Sequence, residues 1–279
     1  MSKRGDGLAA FFVLVFGYTW GVAALYALFP AAVGTVSSSL TSASRSMFSN
    51  PLLISAVSSP TLAALIVAMF LGRASIVDLI KRLLNWRIAW YWYVAATAGI
   101  AALAFVARIA STFAFGLALP QFSIAQLAAL ATASVLDPGP FVEELGWRGF
   151  ALPRLLDRYN GLTAALVLGT TWGVWHLPAF FISGMPQSQD SIWTFMIIVI
   201  STTVLMTWVV NRARGSVLPV ILIHWSINRF VEWHYPGAMM SALTFAAAAL
   251  ILVAIVGTDL DATCEGEGTA DALPRPRGK

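Results

Sequence analysis

Residues 192–210 read IWTFMIIVISTTVLMTWVV, a run without one ionisable side chain. A helix crossing about 30 Å of hydrocarbon needs roughly 20 largely apolar residues, and this run has that length. Seven more stretches of the same kind occur at 8–29, 51–72, 90–118, 125–156, 162–183, 216–233 and 238–256. The gaps between them are short, and none could hold a soluble domain. The chain of 279 residues is 58% hydrophobic and 11% charged, whereas a soluble domain spends about 25% of its residues on charge. The expected fold is therefore all-α, a polytopic integral membrane helical bundle of about eight transmembrane helices. It forms one domain over 1–257, followed by a polar, disordered cytoplasmic tail over 258–279.

The net charge is +4, but Lys and Arg fall in short interhelical segments rather than in a stripe with interleaved aromatics, so nucleic acid is not an expected partner. Lys3 and Arg4, then Arg73, Lys81, Arg82 and Arg87, then Arg154 and Arg158, then Arg212 and Arg214, and last Arg275, Arg277 and Lys279 lie at alternate ends of successive crossings. The other ends hold little beyond Arg45, with Arg108 and Arg229 close enough to an end to snorkel. By the positive-inside rule both termini are expected in the cytoplasm of a cell membrane, and the number of crossings is even. The first run is longer than the apolar core of a signal peptide, about 7 to 15 residues, and is expected to be retained. Residues 74–88 place Ile76, Ile80, Leu83 and Leu84 on one helical face beside Lys81 and Arg82, the pattern of an interfacial amphipathic helix. Tyr91, Trp92 and Tyr93 follow as a boundary belt. Cys264 is the one cysteine and lies in the tail, which excludes a disulfide framework, a CxxC pair and a cysteine nucleophile in the membrane.

Ionisable groups inside hydrocarbon are costly unless paired or solvated, so each is a functional candidate. Phe141 to Phe150 reads FVEELGWRGF. Pro138 and Pro140 precede it and should start a fresh helix there, with Glu143 and Glu144 in its first turn, where the helix dipole favours carboxylates. Arg148 lies four residues beyond Glu144, on the same face at ion-pair distance, while Glu143 points about 100° away. This spacing divides the labour: Glu144 is held ionised by Arg148, and Glu143 is suited to general-base work. His176 lies in Trp172-Gly-Val-Trp-His-Leu-Pro178, where the proline should perturb the helix. His224 and Asn228 are an i, i+4 pair sharing a face, and together can donate to one oxygen. Asp137 reads most simply as a turn residue, with a supporting role near the site as the alternative, and His234 as interfacial.

Taken in order, Glu143-Glu144-x-x-x-Arg148, Trp172-x-x-x-His176 and His224-x-x-x-Asn228 resemble the three motifs of the CPBP family, the CAAX proteases and bacteriocin-processing enzymes also called the Abi family. The resemblance covers about 138–229. It implies an eight-helix intramembrane endopeptidase in which Glu143 and His176 activate water and His224 with Asn228 stabilise the oxyanion, with Glu144 and Arg148 as support. The family usually has Phe where this chain has Trp172, so the aromatic is retained but the pocket shape differs. Both metal-dependent and metal-free schemes have been described for the family. A metal-free, glutamate-dependent route is favoured here because HExxH is absent; zinc or another divalent metal, if bound, would draw on Glu143, His176 and His224. The expected substrate is a peptide or membrane protein, of the CAAX type or a processed bacteriocin-like peptide, cleaved near the cytoplasmic half of the bilayer in a cavity between the fourth, fifth and seventh crossings. The readings from other classes are a noncatalytic immunity or scaffold protein, with the polar cluster fixing helix packing, and a proton-coupled transporter.

Overall fold

A computed structural model describes residues 6–29, 50–119 and 137–260. The described residues form helices and connecting turns, without a strand. In chain order these are α1 (Leu8–Leu28), α2 (Pro51–Val57), α3 (Ser59–Leu71), α4 (Arg73–Leu84), α5 (Tyr91–Phe115), α6 (139–156), α7 (Gly161–Trp175), α8 (Ile192–Arg212), α9 (Leu218–Phe230) and α10 (Gly237–Val256). All eight predicted crossings are helical over much of their described length, and the amphipathic segment is a helix of its own, α4. The tail from 261 onward, the first part of the fourth predicted crossing, Arg45 and the terminal cations lie outside the described residues.

The crossings are less uniform than the hydropathy pattern implies. Four of them, α1, α5, α8 and α10, are continuous helices long and apolar enough to span a membrane; α2 and α3 make a fifth only as a pair bent by 64°. Pro60 explains the bend: it sits in the first turn of α3, where its missing N–H is harmless but would interrupt a continuous helix. In α6, a π-helical segment over Leu145–Ala151 joins the short α-helical pieces Gly139–Glu144 and Leu152–Leu156. Helices α7 and α9 are short because prolines bound them, Pro178 just past α7 and Pro219 at the start of α9.

These interrupted helices occupy the interior. Val13, Phe70, Phe113, Leu250 and Ile255 are each more than 70% exposed on α1, α3, α5 and α10, an apolar surface that water would not tolerate but acyl chains cover. Glu143, Glu144, Arg148, Thr202, Thr203, Thr207 and His224 are buried instead. The molecule is thus apolar outside and polar at its centre, as a membrane bundle built around a site should be.

The two ends differ in charge. Arg154 donates to the carbonyl of Asp6 at 2.9 Å and to Ser75 Oγ at 3.1 Å, Arg158 pairs with Asp6 at 2.6 Å, and the Val217 amide bonds the Arg82 carbonyl at 3.2 Å. These contacts gather the segments 73–87, 154–158 and 212–214 at one end of the bundle. Arg108, expected to snorkel, instead pairs with Glu232 at the other end, and Arg229 pairs with Asp137 at 3.0 Å. Each cation lies close enough to a carboxylate that solvation by the interface is unnecessary. There too His234, with its side chain 70% exposed as expected of an interfacial residue, meets Asp190 at 2.7 Å.

Candidate active site

Asp137 starts the site. Its Oδ1 accepts from the Gly139 amide at 3.1 Å, just before α6, which starts about two residues earlier than the sequence suggested. Helix α6 begins at Gly139, and its first turn holds no acid. Glu143 and Glu144 therefore stand in the second turn, beyond the unpaired amides, and the expected dipole stabilisation gives way to specific partners.

Those partners come from three helices. Arg148 donates from Nη1 to Glu144 Oε1 at 2.9 Å, the i, i+4 pair anticipated from spacing, and from Nη2 to Thr203 Oγ1 on α8 at 2.9 Å. Thr203 in turn donates to the Val199 carbonyl at 2.8 Å, so its hydroxyl proton is used within α8 and its lone pair is turned to the guanidinium. Glu144 Oε1 also meets His224 Nδ1 at 2.8 Å. Both Glu144 and Arg148 are fully buried. A charged pair so placed needs such additional hydrogen bonds to offset its desolvation.

Trp172 joins this support to the rest of the site. Its indole Nε1 donates to Glu143 Oε2 at 2.9 Å, its ring lies 4.2 Å under the Arg148 guanidinium, and its edge meets the His224 ring with centroids 5.1 Å apart. Its backbone carbonyl lies 3.0 Å from His176 Nδ1. Helix α7 ends at Trp175, because Pro178 cannot continue it, and His176 is the capping residue. A carbonyl can only accept, so His176 carries its proton on Nδ1 and, when neutral, a lone pair on Nε2. A Phe at position 172 could make neither the indole hydrogen bond to Glu143 nor its charge-assisted geometry.

Asn228, one turn beyond His224, donates from Nδ2 to Asp137 Oδ2 at 3.1 Å. The same Oδ2 receives Arg229 at 3.0 Å, and the Asp137 carbonyl accepts the Trp225 indole at 2.8 Å. Asp137 is therefore more than a turn residue: it fastens the start of α6 to the end of α9. An Asp before Pro-Gly-Pro was visible in the sequence as a candidate, but its partners lie some 90 positions away. Thr203 carried no sequence signal, since threonine is ordinary within an apolar helix.

Glu143, Trp172, His176, His224 and Asn228 all line one cavity of about 780 Å³, whereas Glu144 and Arg148 lie behind its wall. The cavity is bounded by α6, α7 and α9, as anticipated, with further walls from α1, α8 and the turns at 177–191. Such irregular backbone within a membrane protein is tolerated where it borders a cavity. The lining residues that are exposed, Gln189, His234 and Tyr235, lie away from the three cationic segments. Glu143 precedes Arg154 by about three turns of α6, roughly 16 Å at 1.5 Å per residue, so it lies well inside the bundle from the cationic end. Among the described residues no three His, Cys, Asp or Glu side chains are grouped to hold a metal ion. The Nδ1 atoms of His176 and His224 are both engaged, so a metal would have to be met by their Nε2 atoms and by Glu143.

Fold and site together define an all-α membrane bundle with a buried carboxylate and histidine cluster facing an internal cavity. Residues 123–230 match the family model described as Type II CAAX prenyl endopeptidase Rce1-like. That segment holds all three motifs, and the match bears out the resemblance to the CPBP family there. The chain is also similar to CAAX prenyl protease 2 of Methanococcus maripaludis, 34% identical over 92 residues, covering 31% of this chain and 34% of that relative. It thus spans about a third of the length of the curated relative it matches.

Proposed function

We propose that this chain is an intramembrane endopeptidase that hydrolyses a peptide bond with water activated by Glu143 and His176. It would sit in the cell membrane with both termini cytoplasmic, the side to which the cationic segments point. The observation that carries the reading is the sharing of one cavity by Glu143, His176, His224 and Asn228, with Trp172 tying the first two together.

Glu143 accepts a proton from a water that is oriented by the His176 Nε2 lone pair, and the hydroxide so formed attacks the carbonyl carbon of the scissile bond. The carbonyl oxygen takes the negative charge. His224 faces it with Nε2, and because Nδ1 donates to Glu144, donation from Nε2 requires the imidazolium, with Glu144 as its counter-ion. Asn228 has two amide hydrogens; Asp137 receives one, and the other serves the oxyanion. When the intermediate collapses, the C–N bond breaks and the leaving amine takes the proton back from Glu143. The substrates are peptides or membrane proteins; CAAX-type C-termini and bacteriocin-like precursors are the two classes that the family resemblance offers.

The test compares peptides released from membranes carrying the intact chain and a Glu143→Gln variant, with and without a chelator. Loss of Glu143-dependent products by at least about 100-fold is expected, the lower range of general acid–base catalysis, with no effect of chelation. Products unchanged in Glu143→Gln would overturn the reading, and sensitivity to the chelator would replace the metal-free route.

A further inference from the structure

The cavity's orientation narrows its substrates. Eight Lys and Arg residues lie in the described segments 73–87, 154–158 and 212–214, which share one end of the bundle, against Arg108 and Arg229 at the other. A bias of this size in short loops fixes membrane orientation, with the richer end in the cytoplasm. Helix α4, which carries three of these eight cations, has a composition that fits the same side. It is a surface-lying helix with Lys81 and Arg82 in its last turn and Ile80 and Leu84 exposed for the acyl boundary, the composition that holds to an anionic cytoplasmic leaflet. The cavity wall includes no residue from these segments, and its exposed lining residues are Gln189, His234 and Tyr235.

We propose that the cavity opens to the noncytoplasmic side, and that its substrates are polypeptide segments presented from there: exported peptides, or the outer ends of membrane-anchored proteins. A lipidated C-terminus held at the cytoplasmic leaflet would face the cationic end, from which no residue lines the cavity. The inference rests on the endopeptidase reading for its chemistry but not for its geometry.

Orientation is tested without proteolysis. In a Cys264→Ser background, single cysteines are introduced as Ser183→Cys and Gln189→Cys beside the mouth, and as Ala74→Cys on α4; all three positions are exposed. A membrane-impermeant maleimide on intact cells is expected to label the first two, and Ala74→Cys only after permeabilisation. The reverse pattern overturns the proposal and leaves the endopeptidase reading intact. The second arm maps new protein termini that appear in cells with the intact chain and vanish with Glu143→Gln. They are expected in noncytoplasmic segments, at least 10-fold enriched; termini in cytoplasmic tails overturn the substrate assignment. If no Glu143-dependent termini appear while the labelling pattern holds, the endopeptidase reading fails, and the substrate class falls with it.

Discussion

Trp172 donates its indole N–H to the Oε2 of Glu143 at 2.9 Å, while its own carbonyl faces His176 Nδ1 at 3.0 Å. One residue on α7 therefore aims both groups to which water activation is assigned. The substitution Trp172→Phe keeps the aromatic wall and removes the donor. A hydrogen bond to a charged group is worth about 1.5–3 kcal/mol, and each 1.4 kcal/mol is about tenfold in rate. If half of the lower figure is expressed in the transition state, kcat falls severalfold; if all of it is, the fall is at least about 10-fold. KM should change little, whereas the melting temperature should fall, because the buried Glu143 carboxylate loses a donor. An equal kcat in steady-state assays of Trp172→Phe and the intact chain would remove Trp172 from the positioning role.

Glu144, Arg148, His224 and Thr203 form a buried network that does not border the cavity, apart from His224. Removing one member strands a charge: Arg148→Met is expected to cost about 3–5 kcal/mol of stability, read as a fall in the detergent melting temperature. The double variant Arg148→Met with Glu144→Gln leaves neither charge and should recover much of that loss, but not activity, because His224 then lacks the counter-ion that its imidazolium requires. Recovery of both would reduce the pair to packing, the role that a noncatalytic scaffold would give it.

Much of this network was legible before the fold. The Glu144 and Arg148 pairing follows from helix periodicity alone, because i and i+4 share a face whatever the surroundings. The eight helical stretches follow from apolar length, since a bilayer imposes that length on every crossing. Helix α6 starts about two residues before the sequence reading, because Asp137, which holds the Gly139 amide, stands before two prolines and looks like an ordinary turn. Thr203 was illegible, as its role depends on which face of α8 meets α6, which no local pattern encodes.

Asp137 and Asn228 should behave as a unit. The carboxylate orients the carboxamide and receives Arg229 as well, so Asp137→Asn is expected to lower kcat through Asn228 as well as to loosen the α6 to α9 junction. A double-mutant cycle with Asn228→Ala separates the two effects. Once Asn228 is gone, the further loss in kcat from Asp137→Asn should shrink, while its loss in melting temperature persists. Additive losses in kcat would mean that Asp137 acts on structure alone.

Gly146 fixes how closely α6 can approach α3. A Cβ at this position would stand 2.3 Å from the backbone carbonyl carbon of Pro60 and 2.4 Å from its oxygen, distances that no side-chain rotation relieves because both atoms belong to the main chain. The bend at Pro60 brings that backbone against α6, and Gly146 lies in the π-helical segment just after the two glutamates. Gly146→Ala must therefore push the helices apart, at the cost of about 1–3 kcal/mol typical of overpacking, even though alanine favours helix more than glycine does by about 1 kcal/mol. The sterics win because the contact is rigid on both sides. The displacement would be transmitted along α6 to Glu143, so kcat should fall together with the melting temperature. Gly149→Ala supplies the control: a Cβ there meets the Leu145 side chain at 3.0 Å and no backbone atom, and Leu145 can turn aside. That variant should keep both its activity and its melting temperature close to those of the intact chain, and equal damage from the two substitutions would show that the close approach at Pro60 is not what sets the position of α6.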